Sequence, residues 1–386
     1  MCYESLSTCY RKSLQYKYPF HQEELLYFER TIIVPSADFQ LNFLRRIQWL
    51  LESSSYTSTY KFALLMATAN LAIESGANDD RECSISYQQL AEQFIQLYWM
   101  QVLPFSDHSS DSVLRQSSTT GQASVINSIL NLQHKTQTTS LTIARTQNTK
   151  LWLSTIKDIA SIIKKYPAKH LQSAEDKVSR EFLYIYDSTS KVITLKPGIA
   201  YCFTRFSKII NKLCQQYWTE FVRKNRHNQP YFSDDIDLQQ FLFHQSRQSL
   251  KVLESILIDT QQGQCFYCHK ALKNNIEVDH FIPWSKYSID TTHNFVLTDH
   301  TCNNSKRDYL AEELFYEKWL KRNQQYGHTI EQEAKTIGFI TNQQRSETIS
   351  QWAYQIAVEH EDLVWSPKPS IKLRPINPDA LPQLRA

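Results

Sequence analysis

Between Cys265 and Lys306 the sequence sets out, in order, Cys265-Phe266-Tyr267-Cys268, the adjacent pair Asp279-His280, Pro283, the pair His293-Asn294, and Cys302-Asn303 with Lys306 three residues on. A carboxylate, an imidazole and a carboxamide are groups from which general acid–base and metal-assisted hydrolysis are built. The thiol pair has the spacing of a zinc knuckle. Taken singly, each residue has a bland reading: Asp-His pairs are common, and an Asn before a strand is often a turn former. The ordered set is what is specific.

Elements must bring these groups together. Ile276 to Ile282 is rich in β-type residues and ends in a proline loop, Phe295 to Leu297 is a second apolar run, and a polar segment able to start a helix follows. The order is strand, loop, strand, helix. Alternation along the first strand sends Asp279 and His280 to opposite sides or neighbouring points of a cleft, with Asn303 approaching from the first turn of the helix. An acid, a base and an amide can then converge.

The stretch Glu277-Val278-Asp279-His280-Phe281-Ile282-Pro283-Trp284-Ser285, followed by His293-Asn294-Phe295-Val296-Leu297 and Cys302-Asn303-Asn304-Ser305-Lys306, strongly resembles the HNH nuclease family over about residues 263–310. It is most similar to the HNH domains of RNA-guided CRISPR effector nucleases and of standalone bacterial nucleases. The resemblance implies a ββα-metal unit that hydrolyses phosphodiester bonds. It assigns Asp279 and Asn303 as oxygen ligands of a catalytic Mg²⁺ or Mn²⁺ and His280 as the general base, a role that suits an imidazole of pKa ~6.5. Asn294, the family's middle residue, would brace the loop and so orient His280.

Cysteines raise a second metal question. Many HNH domains close a structural Zn²⁺ site with a second Cys-x-x-Cys, but here Cys302 is preceded at that spacing by Asp299, with His300 beside it. The fourth partner of Cys265, Cys268 and Cys302 is therefore Asp299, His300, a water or nothing; the competing reading is reduced cysteines packing the base of the hairpin. Lys306 and Arg307 could contact flanking phosphates or simply form a solvated face.

Around this unit the chain reads as α+β, mostly α. Phe43, Leu44, Ile47, Leu50 and Leu51 recur at helical spacing, the run Ser58 to Glu74 is Ala- and Leu-rich, and Ser86 with Gln89 forms a capping-box signature. Residues 1–105 are thus expected as a helical domain, and 106–122, rich in Ser, Thr, Asp and Gln, as a polar linker or loop. Residues 123–250 are expected to be mainly helical, with one helix running from Leu151 to Pro167 and another through Phe203 to Phe221. Between them, Phe182 to Tyr186 and Val192 to Leu195 alternate as a small hairpin. The basic end of the second helix, at Arg223, Lys224 and Arg226, fits a winged-helix-like module or, more simply, a helical subdomain with a solvated tip. The nuclease domain is placed at 251–325, a helical segment at 326–365, and an extended or disordered Pro-rich tail at 366–386.

With 386 residues, two or three domains are expected. Six glycines argue against Gly-rich phosphate loops, and a net charge of +3 neither demands nor excludes a nucleic-acid partner. Eight scattered cysteines lack the density of a secreted disulfide scaffold, so a reducing cytoplasm is expected. Neither a signal peptide nor a membrane span is indicated. The leading expectation is an endonuclease acting on nucleic acid, DNA first, in bacterial restriction or phage defence. Alternatives are a non-cleaving, zinc-stabilised nucleic-acid-binding protein and a nuclease subunit silent until a protein partner of a defence complex delivers substrate.

Overall fold

A helix with one apolar stripe must bury that stripe against a partner, and Phe43, Ile47, Leu50 and Leu51 do so in α1 (Ala37–Ser53). The computed structural model describes residues 33–53, 56–105, 113–173, 181–232, 237–243, 250–273, 276–288, 290–367 and 372–382. Within them, α2 (Tyr60–Glu74) is apolar on almost every side and is buried nearly throughout, as the centre of a helical layer must be. Strand β1 (Cys83–Ser86) leads into α3 (Tyr87–Tyr98) through the capping box read from the sequence: Gln89 N donates to Ser86 Oγ at 3.2 Å, and Ser86 N donates to Gln89 Oε1 at 3.0 Å.

The helical layer continues through α4 (Ser124–Thr136), α5 (Leu141–Gln147) and α6 (Thr149–Lys165), which gives way at Pro167 to the single turn α7 (Pro167–His170). After β2 (Val192–Leu195) comes α8 (Ile199–Lys224), packed along α2, and then α9 (Leu238–Phe243). One apolar core runs from Phe43 to Leu242, so the helices before and after the expected linker share it.

Two local expectations are corrected. Residues 106–112 of the expected polar linker or loop lie outside the described residues; 113–122 is a loop and is exposed at 118–121, but its first part is packed rather than solvated, with Leu114 and Gln116 fully buried. Side-chain hydrogen bonds from distant residues offset the burial of polar groups there. Trp218 Nε1 donates to Gln116 Oε1 at 2.8 Å, and Asn228 accepts from Arg115 N at 2.7 Å. The hairpin expected around residues 187–190 persists only as a bridge between Tyr184 and Leu195. The ladder of β2 is instead made with β1, in antiparallel register from Cys83↔Leu195 to Ser86↔Val192, a long-range pairing that local alternation does not report.

The C-terminal half begins with α10 (Glu254–Thr260) and continues as β3 (Ile276–His280), β4 (Phe295–Asp299) and α11 (His300–Lys306), the strand, loop, strand, helix order expected. β3 and β4 pair antiparallel, Asp279 opposite Val296 and His280 opposite Phe295. Two long helices, α12 (Glu313–Thr336) and α13 (Gln343–Glu359), back the unit. The tail is partly ordered: β5 (Leu363–Ser366) pairs with β6 (Lys372–Pro375), while 368–371 and 383–386 lie outside the described residues. Arg374 accounts for this order by pairing with Glu312 and with the nearly fully buried Glu313.

Val34–Ala386 forms one compact unit. Ile73 of α2 joins the core of the C-terminal half, beside Phe281, Trp319 and Trp365. Among the described residues, no helix is long and apolar enough to cross a membrane.

Candidate active site and metal centre

Strand alternation puts Glu277 and Asp279 on one face of β3 and Val278 and His280 on the other. On the first face, Asp279 is 8% exposed, and its Oδ2 accepts from Tyr267 Oη at 2.8 Å and lies 3.0 Å from Lys306 Nζ. Lys306 is the clear correction among the residues expected to meet phosphate. Its side chain is fully buried, and its ammonium also donates to the carbonyl of His280 at 2.9 Å. The last turn of α11 lies against β3, so the lysine is spent on Asp279. Arg307, at the end of α11, is exposed and adopts φ 48°.

On the second face, His280 Nε2 lies 2.7 Å from Asp290 Oδ1, and its ring meets Phe295 and Trp284 edge-on at centroid distances of 4.9 and 5.5 Å. A carboxylate on one ring nitrogen fixes the tautomer and leaves the other nitrogen as the acceptor. Asp290 comes from the loop between β3 and β4, and that loop is braced by Asn294. Ile282 N donates to Asn294 Oδ1 at 2.8 Å, Asn294 Nδ2 donates to the carbonyl of Ile282 at 3.0 Å, and Phe281 N donates to the backbone carbonyl of Asn294 at 2.8 Å.

Asn303 sits with Glu277 rather than against His280: its Nδ2 donates to Glu277 Oε2 at 2.5 Å, and His300 Nδ1 lies 2.5 Å from Glu277 Oε1. That leaves the amide oxygen of Asn303 outside this bond. These groups line an open cleft of about 1050 Å³, together with Lys251, Lys273 and Asn304. Asp279 on β3 and Asn303 on α11 are both hard-oxygen donors of the kind Mg²⁺ or Mn²⁺ takes, but it is Glu277, not Asp279, that shares the cleft and a hydrogen bond with Asn303. Glu277 adds a second carboxylate.

The thiols gather as the spacing suggested. Cys265, Cys268, Asp299 and Cys302 each offer a ligand atom, and these atoms all lie within 4.8 Å of one another. Three thiol sulfurs and one carboxylate oxygen are all donor types that bind zinc, so a set gathered this closely is compatible with such an ion. A tight turn presents the first pair, with Cys265 N donating to Lys270 O at 2.9 Å and His269 N to Cys265 O at 3.1 Å. Asp299 serves twice, since its Oδ1 also caps α11 by accepting from Thr301 N and Cys302 N at 2.9 and 3.1 Å. His300, the other candidate ligand, is turned to Glu277 instead.

The electrostatics of the cluster favour a thiolate. The Cys302 hydrogen bond, working against burial, pulls Cys265 down to about 6. Burial and the Asp299 carboxylate push Cys268 up to about 11. The Cys265 contact and burial raise Cys302. Although burial opposes it, hydrogen bonding from Cys268, Cys302 and Cys265 holds the Asp299 carboxyl well below its usual value. Four protonatable ligands crowded this closely are what a bound cation relieves.

Sequence reasoning missed three neighbours of the site. Glu277 was legible as the same-face residue two before Asp279. Tyr267 lies inside the cysteine pair, where the spacing of the thiols gives no sign of its contact with Asp279. Asp290 carried no spacing signal, because loop conformation alone brings it to His280.

Comparison with known families gives two matches. Residues 265–311 match the HNH endonuclease family, and residues 40–241 match a family described as a domain of unknown function, DUF8808. No curated protein matches the chain.

Proposed function

This chain belongs to the DUF8808 family through residues 40–241 and carries an HNH endonuclease segment at residues 265–311, and from that premise we propose that it is a divalent-metal-dependent endonuclease acting on DNA. The observation that carries the reading is one ββα unit in which β3 carries Asp279 on one face and His280, held by Asp290 at 2.7 Å, on the other, with Asn303 on the helix that follows.

His280 donates Nε2–H to Asp290 and uses Nδ1 to take the proton of the attacking water. Asp290 keeps the ring oriented and stabilises the imidazolium that results. Asn294 holds the loop on which this geometry depends. Asp279 and Asn303 would hold Mg²⁺ or Mn²⁺, which when bound supplies Lewis-acid stabilisation of the scissile phosphate and leaving oxygen. Arg307 contacts a flanking phosphate. Cys265, Cys268, Cys302 and Asp299 would hold a structural Zn²⁺ that fastens the knuckle to α11.

A second reading, a zinc-stabilised protein that binds nucleic acid without cutting it, is favoured by Lys306, which already neutralises Asp279 from within the fold. One assay separates the two. Supercoiled plasmid, linear duplex, single-stranded DNA and RNA are incubated with parent and His280→Ala protein in Mg²⁺, Mn²⁺ or EDTA. Metal-dependent cutting of DNA, lost in EDTA and in His280→Ala, is expected. Retardation of DNA in a gel without cutting under any metal would establish the second reading.

A further inference from the structure

The loop between β3 and β4 is anchored at one end of its span by the site and at the other by the helical layer. Asp290 meets His280 at 2.7 Å. Tyr287, on the same loop and buried, donates its hydroxyl to Glu74 Oε1 at 2.5 Å. Glu74 is the last residue of α2, inside the segment that matches DUF8808 and far from the HNH segment in sequence.

The same carboxylate oxygen gathers donors from two further places. Besides Tyr287, Glu74 Oε1 accepts from Arg345 Nη2 of α13 at 2.6 Å and from Gln93 Nε2 of α3 at 2.9 Å. Burial raises the Glu74 pKa, and Arg345 and the hydrogen bonds oppose that rise. A buried ionic cluster is a poor means of gaining stability, since well-packed apolar residues do as well. What it adds is geometry, because each donor must arrive along its own direction.

Between Tyr287 and the strand the loop is stiff. Lys286 N and Tyr287 N both donate to the carbonyl of Pro283, at 2.9 and 3.2 Å, and Lys286 Nζ pairs with Asp362 at 3.2 Å. Beyond Asp290, Thr292 donates to the carbonyl of Ile340 through both N and Oγ1, at 3.0 and 2.9 Å. Asp290 therefore sits between two fixed points, and Tyr287 is the one held by the helical layer.

We infer that Glu74 is a positioning residue for the hydrolysis proposed above: through Tyr287 it fixes the loop that places Asp290 against His280, so that turnover depends on the helical layer. The inference rests on the nuclease reading. Misplacing a catalytic group by about an ångström costs up to ~10²-fold in rate. Losing this anchor loosens the histidine's partner while leaving the cleft and the metal donors in place.

The test uses the full chain as Tyr287→Phe, which removes one hydroxyl, and as Glu74→Gln. DNA cleavage is measured at saturating Mg²⁺ or Mn²⁺, and amide exchange is followed by mass spectrometry over residues 281–294. Expected are a kcat lower by about 10-fold or more, an unchanged KM and metal requirement, and faster exchange confined to the loop. The double variant should be little worse than the poorer single one, because both remove the same link. Circular dichroism keeps the comparison on folded protein, and Tyr287→Phe answers the question where Glu74→Gln unfolds. Parental kcat in folded Tyr287→Phe would overturn the inference, as would unchanged loop exchange. A parent that cuts nothing under any metal is a different result: it removes the nuclease reading and this inference with it, and the exchange data then report only whether the anchor holds the loop.

Discussion

Lys306 Nζ lies 3.0 Å from Asp279 Oδ2, and the lysine that makes this ion pair has no exposed surface. The pair joins the last turn of α11 to the end of β3, and Tyr267 Oη completes the shell of the same oxygen at 2.8 Å. Removing one member of a buried pair strands the other charge, which costs about 3–5 kcal/mol.

Lys306→Met should therefore lower the urea midpoint by an amount corresponding to about 3–5 kcal/mol. The double variant Lys306→Met/Asp279→Leu should recover part of the loss, because no charge remains buried alone. Equilibrium unfolding of the three proteins decides it, and a single variant that melts like the parent would show that the pair contributes nothing to folding.

The catalytic roles part under metal titration. His280→Ala should lose about 10²-fold or more in turnover while still binding DNA, and its metal dependence should match that of the parent. Asp279→Ala and Asn303→Ala should instead need more Mg²⁺ or Mn²⁺ for whatever activity remains. Cleavage rate against metal concentration is the measurement. Parental cleavage by His280→Ala would remove the histidine from the mechanism.

Zinc should copurify with the chain and leave with the thiols. Cys265→Ser and Cys268→Ser should lose bound zinc and melt at lower temperature, with the folded fraction keeping its activity, because a structural metal contributes directly to folding free energy. Metal analysis beside thermal melts gives the answer: no zinc in the parent, together with parental melting in both variants, would leave four cysteine-cluster residues that merely pack.

His293 should make the fold acid-sensitive. Burial lowers its pKa, as does nearby Arg322, while the Gly327 carbonyl and Glu331 partly oppose them. A folded pKa below the unfolded value of ~6.5 means that the unfolded chain binds more protons between the two. Stability then holds above pH ~6.5 and falls as pH drops from there through the folded value. Urea midpoints from pH 8 to pH 5 should slope less steeply in His293→Gln than in the parent; identical slopes would clear His293 of the effect.

Much of the helical layer was legible because its signals are local. The stripe of α1, the capping box at Ser86 and the stop at Pro167 each depend on residues within a few positions of one another, and each has its expected structural consequence. The polar stretch containing Gln116 misled for the opposite reason, since its partner Trp218 is supplied from the far side of the core.

At the site the division is the same. The sequence by itself determined the ββα order, the thiol pair, and the proximity of Asp279 and His280, because period-two alternation and short loops leave little freedom over such a span. Only the tertiary structure decided that Lys306 turns inward to Asp279, that Asp290 holds His280, that Asp299 rather than His300 closes the thiol cluster, and that Glu74 reaches Tyr287. The first and third follow from how α11 packs on β3 and β4 and is capped by Asp299, whereas the loop that carries Tyr287 and Asp290 is tied to Glu74 and Ile340. No pattern within the motif encodes the position of that loop, because the residues that hold it lie outside the motif.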